Sequence, residues 1–113
     1  MHWQKLSDYK YLSLYRGSLI KFAAAHPFEE QVVMIVCGSP RTDRRLGLVT
    51  LSGNKAGYNC FTLFPEWAHN RNGSITAGLI YNNWTSWMWP EWSRDSAWIL
   101  QDGLRVEDLL CNH

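Results

Sequence analysis

The side chains able to carry acid–base, nucleophilic or metal chemistry are few and scattered along this chain. His2 and His113 stand at the ends of the chain, and His26 and His69 fall in loop-like stretches. No two of them have the spacing of metal ligands, and Cys111-Asn112-His113 reads as a frayed tail rather than a site. Cys37 and Cys60 lie inside apolar runs and read as core fillers. A Cys60–His69 dyad is the minor alternative that the sequence leaves open. The glycine-containing stretch Ser52-Gly53-Asn54-Lys55-Ala56-Gly57 follows a hairpin strand, not a strand-to-helix junction, so it is no phosphate cradle. Lys55 there reads as a solvated turn lysine, or alternatively as a cation held against Asp95 or Asp102. These residues point to no catalytic centre, no metal and no cofactor.

The chemistry that is concentrated is aromatic. Five of the seven tryptophans fall between Asn82 and Trp98: Trp84, Trp87, Trp89, Trp92 and Trp98. Each indole can bury roughly 200 Å². Seventeen residues cannot turn five rings inward, because a helix or strand has only one or two buried faces. Trp84 and Trp87 continue the helical spacing of Ile75, Leu79 and Ile80 and read as core. Trp92, after a proline and between Glu91 and Ser93, reads as exposed, with Asp95 and Asp102 nearby in sequence. Glu66 and Trp67 occupy a polar loop that could join them. An exposed tryptophan rimmed by carboxylates has the character of a protein-binding hot spot. Its bland counterpart is a satellite cluster in which Trp67 and Trp92 pack on each other.

Two other ligand classes compete. Carbohydrate or another small ligand would stack on exposed indoles, but such modules are usually secreted, and no signal peptide opens this chain. Single-stranded nucleic acid needs aromatics interleaved with Lys or Arg, whereas residues 82–98 hold Arg94 alone against Glu91 and Asp95. Protein binding fits best.

These groups must be positioned by a small mixed domain. The apolar alternations predict strands over 12–22, 31–37, 45–52, 57–64 and 96–101, with Gly17 as a one-residue bulge in the first. Val32 to Cys37 is continuously apolar and predicts a central strand covered on both faces. Gly53 and Gly57 mark the hairpin turn between the third and fourth strands. Ser74 is expected to cap a single helix over 75–88, in which Gly78 implies close packing, since glycine costs such a helix about 1 kcal/mol against alanine. Val106 to Cys111 allows one or two helical turns. The expected architecture is α+β: an antiparallel sheet of four to five strands with one main α-helix packed on a face, forming a single domain over 1–113.

Composition agrees with that class. The formal net charge of +1 on 113 residues excludes a broadly basic nucleic-acid surface. Charge is uneven, however. Four bases stand against one acid from Arg41 to Lys55, and five acids against two bases from Pro90 to His113. Three cysteines without a CxxC pair fit reduced thiols in a cytoplasm.

The order of Arg16-Gly17, Leu46-Gly47-Leu48-Val49 leading to Gly53-Asn54-Lys55-Ala56-Gly57, and Asn83-Trp84 with Trp87 resembles a bacterial immunity protein family, the one numbered 45. The resemblance runs over roughly Leu12 to Leu100. The chain departs from the pattern at Trp67, which follows Pro65-Glu66, and at Gly78, where an aromatic is expected. What the resemblance implies is a cytoplasmic protein that binds a cognate polymorphic or contact-dependent growth inhibition toxin domain and neutralises it without turnover. It implies structural roles for Arg16, Gly17, Lys55, Gly57, Asn83, Trp84 and Trp87. An acidic contact surface would suit a basic nuclease toxin.

Overall fold

The computed structural model describes residues 2–24, 30–38, 45–53, 56–57, 60–88 and 93–104. Eight strands and two short helices form among them, in the order β1 (Gln4–Lys5), β2 (Ser13–Leu14), β3 (Leu19–Ala23), β4 (Gln31–Gly38), β5 (Leu46–Thr50), β6 (Cys60–Leu63), β7 (Ile75–Thr76), α1 (Ala77–Asn82), α2 (Trp84–Trp87) and β8 (Trp98–Leu100). Six strands make one antiparallel sheet in the order β1-β8-β3-β4-β5-β6, while β2 and β7 pair separately. The class is therefore α+β with an antiparallel sheet, as expected, but richer in strands and poorer in helix.

The period of two in the sheet residues decides the core face. Ile20 and Phe22 of β3, Val32, Met34 and Val36 of β4, Leu46 and Leu48 of β5, and Ile99 of β8 are buried on one side. The helices and the segment from Leu6 to Leu14 close over them, adding Leu6, Leu14, Ile80 and Trp84 to the same cluster. On the opposite face Val33, Ile35, Cys37 and Val49 are half-buried. The apolar run of β4 is thus fully buried on one face rather than two. The β5–β6 hairpin forms as read, with a register shift between Leu48 and Val49.

The long first strand divides. Tyr15 to Ser18 is a turn, closed by Ser18 N–H donating to Tyr15 O at 2.9 Å, with Gly17 at φ +100°. Gly17 is therefore the left-handed residue of a turn between two sheets, not a bulge inside one strand. The cause is the buried Ser18. Its hydroxyl donates to Gln101 O and accepts the Tyr15 N–H, tying the turn to the far end of the chain. Leu6 N–H similarly reaches Ala97 O at 3.0 Å, so the N-terminal strand β1, absent from the expected set, is held as an edge beside β8.

The single helix over 75–88 is also divided. Ile75 and Thr76 are strand, and the helix starts at Ala77 without a side-chain cap. Ser74 does not cap it. The Ser74 hydroxyl is fully buried and donates to Asn72 Oδ1 while accepting from the Asn70 amide. The first free amides of the helix are satisfied by the turn that precedes β2 instead: Ala77 N–H donates to Leu12 O and Gly78 N–H to Lys10 O, both at 2.8 Å. Asn83 then breaks the run at φ −105°, ψ +20°. Its side-chain amide and its own N–H both donate to Leu79 O, and its carbonyl accepts the N–H groups of Ser86 and Trp87 to start α2. Asn83 thus stands between the two helices, ending one and starting the next.

Candidate protein-binding surface

The two helices carry a row of aromatics across the core face. Trp84 is 3% exposed and meets Phe22 edge-on, with ring centroids 5.2 Å apart. Trp87, one turn on, is half-buried against Phe64 at 5.2 Å and touches Trp67 at 5.8 Å. Trp67 is the outermost of the row at 67% exposure. It rides on a 3₁₀ turn, Glu66–Ala68, with Glu66 exposed beside it. The expected core pair is thus one core ring and one half-covered ring, and the second supports the exposed Trp67.

His69 holds this turn in place. Its Nδ1 lies 3.0 Å from Pro65 O, and Leu46 N–H donates to its Nε2 at 2.8 Å. A carbonyl only accepts, so Nδ1 carries the proton and Nε2 receives one. Both ring nitrogens are spent on backbone groups, which leaves neither for a thiol, and the Cys60–His69 dyad is set aside. His69 instead pins the Trp67 turn to the start of β5.

A second cluster lies on α1. The Tyr81 hydroxyl donates to Asp95 at 2.7 Å, and Lys10 Nζ stands 4.1 Å from the Tyr81 ring centroid. The Arg94 guanidinium carbon is 4.4 Å from the same centroid, and Arg94 donates to Tyr81 O at 3.3 Å. The hydrogen bond to Asp95, then partial desolvation and the Asp95 charge, push the phenol above its ordinary value, against a smaller opposite pull from Arg94. Nearby, Tyr11 is 72% exposed and lies 6.0 Å from Tyr9. Sequence reading missed this cluster, because residues 10 and 81 meet only through the Gly78–Lys10 approach. Only Asp95 and Gly78 drew notice beforehand.

The remaining expected residues are dispersed. Asp95 and Asp102 are exposed beyond opposite ends of β8, while Glu66 and Trp67 follow β6 at the far side of the sheet. Arg16 is exposed, with its side chain close over Gly38. Gly17 and Gly57 both have positive φ, and Gly57 N–H donates to Thr50 O at 2.7 Å in the hairpin turn. Lys55, Glu91 and Trp92 lie outside the described residues, as does the expected C-terminal helical turn. The proposed packing of Trp67 on Trp92 therefore has no description, whereas Trp67 on Trp87 does.

Among the described residues no group of three or more His, Cys, Asp or Glu side chains could hold a metal ion, and no helix is long and apolar enough to cross a membrane. The family model described as immunity protein 45 matches residues 6–99. No curated protein and no solved structure matches the chain.

Proposed function

Because the chain belongs to the immunity protein 45 family, we propose that it binds a cognate bacterial toxin domain tightly, blocks its activity and performs no chemistry of its own. The observation that carries this reading is the family match, which spans the whole sheet except β1 and the last residue of β8. The surface supports it: an exposed indole backed by a second one, with a carboxylate alongside, resembles a protein hot spot more than a catalytic cleft. Trp67 and Glu66 are the contact residues we place first. Cytoplasmic residence follows from the role, since a toxin delivered into a cell must be met inside it. Its activity is left to its own chemistry, with a nuclease favoured.

The test uses the C-terminal domain encoded by the reading frame immediately upstream. Purified chain is expected to form a saturable complex with that domain and to extinguish its toxic activity at stoichiometric amounts. An upstream frame without any toxin domain, or a toxin domain left fully active by excess chain, contradicts the proposal.

A further inference from the structure

The Tyr81 cluster is built rather than incidental. Gly78 lets the Lys10 backbone lie directly on α1: a Cβ at position 78 would sit 3.0 Å from Lys10 O. Tyr81 follows Gly78 by three residues and so shares its side of the helix. The Lys10 ammonium is thereby carried over the Tyr81 ring. Arg94 reaches the same ring from the 3₁₀ turn Arg94–Ser96, whose next residue, Asp95, accepts the phenol hydrogen bond. Three segments distant in sequence converge on one tyrosine.

The charge balance of this convergence decides what it can bind. The phenol has spent its donor on Asp95, and Asp95 has one oxygen occupied by it. Two exposed cations remain against that one carboxylate, and they carry unspent N–H donors: three on an ammonium and five on a guanidinium, of which Arg94 uses one on Tyr81 O. The unmet capacity of the cluster is to donate, not to accept. Tyrosine with arginine is the composition of binding hot spots.

We propose that the Lys10–Tyr81–Arg94 patch receives an acidic side chain of the toxin domain, whose carboxylate accepts from Arg94 and Lys10. Asp95 stays outside the contact in this arrangement: it accepts the Tyr81 hydroxyl hydrogen bond and meets no basic group of the partner. The inference rests on the immunity reading and names a surface and a partner chemistry for it. Tyr81 on α1 and Trp87 on α2, which Trp67 touches, belong to helices packed over the same face of the sheet.

Binding of the upstream-encoded toxin domain is measured for wild type, for Lys10→Glu/Arg94→Glu and for Asp95→Asn, each with a melting curve. Charge reversal at two exposed positions is expected to leave melting near wild type and to weaken binding about a hundredfold. Asp95→Asn is expected to bind within about threefold of wild type or tighter, since it removes the one negative charge of the patch. If the reversal variant melts early, Lys10→Met and Arg94→Met replace it, with about a tenfold loss expected for each. Wild-type affinity in the charge variants overturns the proposal and leaves the immunity reading intact. So does a loss of more than about tenfold in Asp95→Asn, which would mean that its carboxylate meets a basic partner group. Failure of the wild-type chain to bind overturns both.

Discussion

Trp84 and Trp67 are the same side chain put to opposite uses, and the difference is one of neighbours. Trp84, the first residue of α2, packs edge-on against Phe22 and is buried. Trp84→Ala should cost about 3–5 kcal/mol, the usual range for emptying a buried indole site, and a denaturant melt close to wild type would contradict its place in the core. Trp67 touches Trp87 and is largely exposed, so Trp67→Ala should melt near wild type while weakening toxin binding by about 2 kcal/mol. Tyr81 makes a third residue-scale test. Its bond to Asp95 favours the protonated phenol, so its titration lies above the ordinary tyrosine range. A folded-state value raised above the unfolded one gives stability that is complete below about pH 10 and lost as pH rises through the folded value. The phenolate absorbance of Asp95→Asn should therefore appear at lower pH than in wild type. Identical alkaline titrations would show that the bond is not formed in solution.

At the scale of elements, glycine marks the places where one segment must lie on another. Alanine at Gly78 gains about 1 kcal/mol in helix propensity, but its methyl would press on Lys10 O, which is itself fixed by the Gly78 N–H. Overpacking of this kind costs about 1–3 kcal/mol, so Gly78→Ala should lower the melting temperature; a rise would mean that the Lys10 segment moves freely. Gly103→Ala should be worse. The residue has φ +69°, and its Cβ would overlap Gly17 O directly. These contacts also explain what sequence could and could not reveal. The strands β4 and β5 and the turn at Gly57 are set by residues a few places apart, and they were legible, though not that β4 buries only one face. The break at Asn83 was not, because an asparagine that caps its own helix looks like any polar residue on a helical face. Likewise the turn at Gly17 depends on Ser18 meeting Gln101, a partner 83 residues away. The candidate site divides in the same way. Trp67 was legible as a tryptophan in a polar loop, whereas Lys10 and Tyr81 acquire meaning only once Gly78 brings them together.

For the molecule as a whole, the sheet buries one face beneath two short helices and displays on that side two aromatic groupings, one carboxylate-edged at Trp67 and one cationic at Tyr81. A net charge of +1 conceals this arrangement, since neither grouping dominates the sum. A partner with an apolar recess would match the first grouping, and one with an acidic side chain the second. The most direct measurement of the immunity role is growth. Cells producing the upstream-encoded toxin domain should stop dividing, and co-production of this chain should restore growth. Continued arrest beside abundant, folded wild-type chain would contradict the account.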